Sequence, residues 1–247
     1  MKIHTLLSPL NADELYFTGK TVVVIDVLRA TSVILTALKN GAKEVIPVST
    51  IEFAMKVSGN AFGGHTILGG ERNTKKIEGF TLGNSPLEYA PENVEGKSII
   101  LFTTNGSKSI VKTKFAEKTL IGSFFNLEAL AEYLVSLGED VEILCSGANG
   151  MFCLEDTVCA GKLIRKIQKL NENIELTDAS KASIELNGVF GKNIEEMLRN
   201  AEHGKKLIEN GFEEDISFIS QIDIWDIIPR FESSVIKLMN NEEEEKN

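Results

Sequence analysis

The sequence has 247 residues, of which 43% are apolar and 7% aromatic, so the chain is long enough to bury a large core. Its 36 acidic residues outnumber its 26 basic ones and give a net charge of −10, which argues against a nucleic-acid partner. The aliphatic run Val22 to Ile25 is far shorter than the ~20 residues of a membrane span, so we expect no membrane partner either.

The first half of the chain alternates short strands with helices. The β-branched run at 21–25 predicts a strand buried on both faces, because it shows no alternation with polar residues. Apolar residues at helical spacing then predict a helix from Ala30 to Leu38, closed by Gly41. The same reasoning predicts strands at 44–48, 66–68 and 98–102, a helix over 51–58 capped by Thr50, and a proline-started helix at Ser85-Pro86.

The second half begins with the same alternation and then loses it. The segment 177–211 contains only helical patterns and interrupts the rhythm of strands and helices. Near the end, 224–228 predicts a return to the sheet, which Pro229 would terminate. The remaining predicted elements are strands at 120–121 and 141–144 and helices at 127–137 and 154–170.

Strands that alternate with helices favour an α/β fold. We predict a three-layer α/β/α sandwich with a mostly parallel or mixed sheet. One domain is expected over 1–240, with the helical segment at about 177–211 inside it. The acidic stretch 241–247 is expected to form a solvated tail.

Polar or glycine-rich sequence occurs at five transitions between a predicted strand and a loop. Each segment is weak evidence alone, because Asp26 is also a plausible helix cap and Thr-Thr-Asn-Gly is an ordinary turn. Ligands of open α/β sheets bind beyond the carboxyl ends of the strands, so the shared position predicts a binding site. The five segments are 26–32, 69–72, 103–107, 145–150 and 223–230.

Arginines and carboxylates in these segments predict an anion site with a metal. Arg29 and Arg72 follow strands, and their planar guanidinium groups suit phosphate or sulfonate oxygens. Oxygen ligands favour Mg²⁺, which takes one or two carboxylates together with waters and substrate oxygens. The alternative for Glu155 and Asp156 is that they only complement a helix dipole. The candidate metal ligands are Asp26, Glu71, Glu155 and Asp156.

The cysteines and histidines predict no soft-metal site. Cys145, Cys153 and Cys159 are spaced as neither a zinc site nor a disulfide framework, so we expect reduced thiols and a cytoplasmic protein. The three histidines are far apart in sequence. Several phosphate chemistries are also excluded: residue 28 is Leu where a haloacid-dehalogenase site needs Asp, and the sequence contains no P-loop and no Gly-x-Ser-x-Gly motif.

Five motifs, in order along the chain, resemble those of the 2-phosphosulfolactate phosphatases. They are Val-Ile-Asp-Val-Leu-Arg-Ala-Thr-Ser at 24–32, Gly-Glu-Arg at 70–72, Gly-Phe-x-Leu-Gly-Asn-Ser-Pro at 79–86, Thr-Thr-Asn-Gly at 103–106 and Leu-Glu-Asp-Thr-x-Cys-Ala-Gly at 154–161. The resemblance implies the α/β/α fold of that family and a Mg²⁺-dependent hydrolysis of 2-phosphosulfolactate to sulfolactate and phosphate. In that family the step belongs to coenzyme M biosynthesis.

This chemistry assigns expected roles to the residues at the strand ends. The catalytic candidates are Asp26, Arg29, Glu71 and Arg72. Side chains and the backbone N–H groups of turns and helix starts are expected to bind the substrate oxygens. The substrate-binding candidates are Thr31, Ser32, Asn84, Ser85, Thr104, Asn105, Gly106, Gly147 and Asn149.

Two mechanisms and two other functions stay open. Either a water activated by the metal attacks phosphorus, with Asp26 or Glu71 as ligand or general base, or Asp26 attacks and forms a covalent phosphate. The other functions are a non-catalytic module that binds a small phosphate or sulfonate, and a lyase or transferase acting on small sulfonates. A homodimer is one expectation for the assembly.

Overall fold

The structure is a computed structural model and describes residues 1–60 and 65–239. The predicted tail at 241–247 and the predicted domain limit at 240 lie outside the described residues. The strands of the described part are β1 (Lys2–Leu6), β2 (Thr21–Ile25), β3 (Glu44–Val48), β4 (Thr66–Arg72), β5 (Lys75–Lys76), β6 (Ser98–Phe102), β7 (Lys118–Gly122), β8 (Val141–Cys145), β9 (Glu175–Leu176), β10 (Pro229–Glu232) and β11 (Val235–Leu238). Its helices are α1 (Ala30–Lys39), α2 (Ile51–Asn60), α3 (Pro91–Val94), α4 (Gly106–Lys112), α5 (Leu127–Leu137), α6 (Leu154–Leu170), α7 (Asp178–Phe190), α8 (Ile194–Asn200), α9 (Glu202–Glu209) and α10 (Glu213–Ile219).

The strands form one mixed sheet in the order β5-β4-β6-β3-β11-β10-β7-β2-β8-β1-β9. Two groups are parallel within themselves, β4-β6-β3 on one side and β7-β2-β8-β1-β9 on the other. The antiparallel hairpin β10-β11 lies between them and pairs with β7 and β3. The arrangement confirms the predicted α/β class and is consistent with three α/β/α layers.

Two helices connect the parallel groups at the level of the core. Helix α1 packs against β3 and β7, and α4 packs against β2 and β3. Every residue of β2 is buried, as its unbroken β-branched run predicts, and so is every residue of α1 except the last. The carboxyl ends of strands from both groups are therefore held close to one another.

Most predicted elements are confirmed. Strands β2, β3 and β6 have the predicted bounds, as do helices α5 and α6. Thr50 caps α2 as predicted, because its hydroxyl accepts the Phe53 N–H at 3.1 Å. The predicted helical segment corresponds to α7, α8 and α9, and α10 extends it. None of the described helices has the length and apolar character needed to cross a bilayer.

The strand predicted at 224–228 is wrong. The N–H groups of Asp223 and Trp225 donate to the carbonyls of Phe124 and Phe125, so this segment is bound to the 3-10 turn Phe124–Asn126 and not to a strand. Pro229 begins β10, where we predicted that it would end a strand. Proline is tolerated at the first residue of a strand because little hydrogen bonding is lost there.

The helix predicted to start at Ser85-Pro86 is also corrected. The chain forms only a short 3-10 turn at Pro86–Glu88, and the Ser85 hydroxyl does not cap it. That hydroxyl donates instead to Asp215 Oδ1 at 2.6 Å. Ser85 therefore joins this turn to α10.

The close approach of β4 and β6 at Gly70 gives a prediction about stability. Its φ is +139°, and a methyl group there would overlap the carbonyl oxygen of Phe102 on β6. We expect Gly70→Ala to lower the free energy of unfolding by about 2–5 kcal/mol, from backbone strain plus overpacking. Gly79→Ala is the control, since Gly79 has φ +83° but open space around it, and should cost about 1–2 kcal/mol. Equal losses in urea denaturation would contradict the proposed close contact.

Candidate functional site

Many of the predicted site residues border an open pocket of about 250 Å³. The pocket lies beyond the carboxyl ends of β2, β4, β6 and β8, which belong to both parallel groups, and α9 forms a further side. This is the position at which open α/β sheets bind ligands. The lining residues are Asp26, Leu28, Arg29, Glu71, Asn73, Thr74, Asn84, Thr103, Thr104, Asn105, Ala148, Asn149, Glu202, His203 and Lys206.

Asp26 follows β2 directly and is almost fully buried. Its Oδ1 accepts the Ala30 N–H, the first of α1, at 3.2 Å, but the N-cap of α1 is Arg29, so Asp26 is not the N-cap residue considered from the sequence. Its Oδ2 faces Gly106 at the start of α4, where an added Cβ would overlap both this oxygen and the Ala30 Cβ. Glycine at this position therefore allows the carboxylate and α4 to approach closely.

The buried surroundings of Asp26 disfavour its ionised form. Burial raises the pKa of Asp26 to about 6, and the negative charges of Glu71 and Glu155 add to the rise. His203 and the hydrogen bond from the Ala30 amide oppose it. Burial, Asp26 and Glu155 also raise the pKa of Asp156 well above its usual value. These carboxylates thus repel one another in a region where water screens them poorly.

Glu71 and Asp156 join the loops that surround the pocket. Glu71 accepts the N–H groups of Thr74 at 2.8 Å and Thr104 at 2.7 Å, one on each oxygen. Asp156 accepts those of Val27 at 2.9 Å and Gly147 at 3.0 Å in the same way. Each carboxylate therefore connects two loop segments through charge-assisted hydrogen bonds.

Glu155 differs from its neighbour Asp156 because one of its oxygens is free. Its side chain is buried, and Oε1 accepts no hydrogen bond among the described residues. His203 Nδ1 on α9 lies 3.5 Å from this oxygen. A buried carboxylate oxygen without a donor is available to a cation, because desolvation makes an unpaired charge costly.

Arg29 is bound within the protein. Its guanidinium donates to Asp215 Oδ2 at 2.7 Å and to the Thr74 carbonyl at 2.9 Å, and it lies 4.1 Å from the centre of the Phe212 ring. Burial raises the pKa of Asp215 even though Ser85 and Arg29 both donate to it. Asp215 thus balances the charge of Arg29, whose other N–H groups remain available at the edge of the pocket.

Four of the predicted substrate-binding residues line the pocket. Asn84 Oδ1 and Thr104 Oγ1 are buried and have no hydrogen-bond partner among the described residues, so both are available to a ligand. Asn105 Oδ1 accepts the Asn149 N–H at 2.9 Å, which links the loops that follow β6 and β8.

The other predicted substrate-binding residues support these loops from outside the pocket. The Thr31 and Ser32 hydroxyls donate to the carbonyls of Asp26 and Val27, at 2.8 and 2.9 Å. As described above, the Ser85 hydroxyl donates to Asp215, and the Gly147 N–H donates to Asp156. Gly106 has no side chain and so leaves room for the Asp26 carboxylate. Arg72 ends β4 with an exposed side chain and is not among the lining residues.

The sequence analysis missed Asp215 and the lining residues Glu202, His203 and Lys206 of α9. None of them follows a predicted strand; the three residues of α9 belong to the segment 177–211, which contains only helical patterns, and Asp215 lies beyond it in α10. His203 could have been noticed as one of only three histidines in the chain, but its partner Glu155 is 48 positions away in the numbering. No local motif indicated that His203 would contact Glu155 or that Asp215 would contact Arg29.

The site offers oxygen donors for a metal, although an incomplete set. No group of three or more His, Cys, Asp or Glu side chains within the described ranges is arranged to hold a metal ion. Asp26 Oδ2 and both carboxylate oxygens of Glu155 accept no hydrogen bond from the described residues, and Glu155 Oε1 is fully buried as well. Two carboxylates completed by water and ligand oxygens are a donor set typical of Mg²⁺.

Most of the chain is similar to one family of known proteins. The family model described as 2-phosphosulpholactate phosphatase matches residues 8–234. A protein of Caldanaerobacter subterraneus subsp. tengcongensis, named probable 2-phosphosulfolactate phosphatase, is 44% identical over 218 residues, 88% of this chain and 90% of that protein. Proteins of the same name from Clostridium beijerinckii and Clostridium tetani are 40% and 42% identical, over 96% of this chain and 99% and 100% of their own lengths.

The buried ion pair gives a prediction about stability. Asp215→Asn leaves Arg29 buried without a counter-charge, so we expect the free energy of unfolding to fall by about 3–5 kcal/mol. Asp226→Asn is the control, because Asp226 is exposed and lies 3.7 Å from Lys39, also at the surface. Urea denaturation of both variants measures the difference. A similar small change in each would show that Asp215 does not compensate Arg29.

Proposed function

The chain belongs to the 2-phosphosulfolactate phosphatase family, and we propose from this membership that it hydrolyses 2-phosphosulfolactate to sulfolactate and inorganic phosphate in the pocket described above. It is thus a phosphoric monoester hydrolase. The observation that supports the proposal most strongly is the position of Asp26, buried at the end of β2 with one free oxygen at a pocket that Arg29 also lines.

A cation is expected in this pocket on electrostatic grounds. The substrate has a phosphate, a sulfonate and a carboxylate, whereas Asp26 and Glu71 line the pocket and Glu155 and Asp156 are buried within electrostatic reach of Asp26, outside the lining. Arg29 is already balanced by Asp215. A polyanion therefore meets excess negative charge unless a cation accompanies it.

We propose Mg²⁺ as that cation, held by Asp26 and Glu155 through the oxygens that have no hydrogen bond. When bound, Mg²⁺ neutralises phosphoryl oxygens and acidifies water. Glu71 and Asp156 are less suited as ligands because each of their oxygens already accepts a backbone N–H. Their role is to hold the loops in place.

The residues of the chain provide positioning and charge. Thr104 presents its free hydroxyl as a donor to a substrate oxygen, and Arg29 adds the N–H donors that Asp215 and Thr74 do not use. The free Oδ1 of Asn84 is an acceptor, so it suits a cation or a protonated oxygen of the ligand. Asp26 either orients the attacking water and accepts its proton, or attacks phosphorus itself to form a covalent phosphate that water then hydrolyses. Glu71 is a weaker candidate for the base because both of its oxygens are engaged.

A cytoplasmic location and a step of the coenzyme M type belong to the same proposal. Cys145, Cys153 and Cys159 are buried and free, which is typical of a reducing compartment. Burial raises the pKa of all three thiols well above the usual value, so they are expected to remain protonated and unreactive.

Phosphate release from racemic 2-phosphosulfolactate in the presence of Mg²⁺ tests the activity directly. We expect turnover by the wild type and a loss of at least about 100-fold in kcat for Asp26→Asn, which keeps an acceptor for the Ala30 N–H but removes the charged oxygen. Asp178→Asn, at an exposed position in the first turn of α7, should retain full activity. If the wild type binds the substrate but releases no phosphate, the chain is a binding module and the proposal fails.

Gly106 gives an independent test of Asp26. Gly106→Ala should displace the Asp26 carboxylate and lower kcat by about tenfold or more, because small errors of position are costly in catalysis. Gly188→Ala, in an open part of α7, should leave kcat unchanged. Unchanged turnover in the folded Gly106→Ala variant would place the reaction away from Asp26.

A further inference from the structure

The pocket contains one cationic side chain whose charge has no partner in the described part of the chain. Arg29 is the other lysine or arginine among the lining residues, and it is paired with Asp215. Lys206 also lines the pocket, but its side chain makes no ion pair and no hydrogen bond with any described residue. Exposed lysines are common at protein surfaces, so the functional significance of Lys206 depends on how its helix is positioned.

Helix α9 is anchored so that Lys206 lies beside the pocket. Leu207 is fully buried, and an added Cβ on Gly204 would overlap the Leu198 carbonyl, so α9 packs tightly against α8. His203 and Lys206 are three residues apart and therefore on the same face of the helix. His203 contacts the buried Glu155, which places that face over the site.

The chemistry of the substrate gives this lysine a role. In the function proposed above, on which this inference rests, the phosphate lies near Asp26 and two further anionic groups need donors. The planar guanidinium of Arg29 suits a planar carboxylate. A tetrahedral sulfonate requires no planar fork, and the compact ammonium of a lysine is a suitable point charge for it.

We propose that Lys206 binds the sulfonate of the substrate and so determines specificity for a phosphosulfonate over a phosphoester that lacks this group. Lys206 takes no part in the transfer of the phosphoryl group. Its loss is therefore expected to change KM more than kcat, because the sulfonate is equally charged in the ground state and in the transition state.

The test compares two substrates in two variants. 2-Phospholactate has a hydrogen where 2-phosphosulfolactate has its sulfonate, so it lacks the group assigned to Lys206. With Mg²⁺ present, Lys206→Ala should raise KM for 2-phosphosulfolactate about tenfold, as expected for one charge-assisted hydrogen bond, and leave KM for 2-phospholactate unchanged. Lys206→Arg should restore most of the difference.

Lys205→Ala is the matched control. Lys205 is the neighbouring exposed residue on α9 and does not line the pocket, so this variant removes the same charge from the general field. It should leave KM for both substrates unchanged. An equal change for both substrates in Lys206→Ala, or no change for either, overturns the assignment.

The same variants also test the sulfonate site if the chain proves not to be a phosphatase. Should the wild type not hydrolyse 2-phosphosulfolactate, the same variants are compared by calorimetric binding of sulfolactate and of lactate. Weaker binding of sulfolactate alone in Lys206→Ala would support the sulfonate site without the phosphatase activity. If the wild type neither hydrolyses the phosphoester nor binds sulfolactate, both proposals are wrong.

Discussion

Four carboxylates are buried close to the ends of the central strands, and the cost of burying their charges together is the constraint on which the pocket depends. Asp26 shows this cost most clearly, since burial above all, and then the charges of Glu71 and Glu155, raise its pKa to about 6. Such a cluster persists only if hydrogen bonds or cations compensate it. Glu71 and Asp156 are compensated by backbone N–H groups, whereas Asp26 and Glu155 each retain a free oxygen.

This division explains how one acidic cluster serves both structure and chemistry. Glu71 connects the β4–β5 turn to the loop after β6, and Asp156 connects the loops after β2 and β8. The loops of each parallel group are thus fixed internally, while α1 and α4 hold the two groups together across the β10–β11 hairpin. The free oxygens of Asp26 and Glu155 are those that we propose for Mg²⁺.

Local patterns predicted the strand ends and the carboxylates that follow them, because a buried apolar run stops where its backbone reaches the ligand edge of the sheet. They could not predict that Arg29 would pair with Asp215, 186 positions away, since that contact depends on how α10 packs. The same holds for His203 and Lys206, which amphipathic helix patterns do not distinguish from solvated residues. Pro229 begins β10 although a strand end was predicted there, because proline can begin a strand as well as end one.

The central claim is that this pocket accepts a small polyanion only together with a divalent cation. Calorimetric titration of the wild type with sulfolactate, first in EDTA and then with Mg²⁺, tests it without depending on turnover. The account predicts that Kd for sulfolactate is at least about 100-fold higher in EDTA than with Mg²⁺, because the buried carboxylates then repel the anionic ligand without a cation between them. Equal affinity under both conditions would contradict it, since the protein's own cations would then suffice.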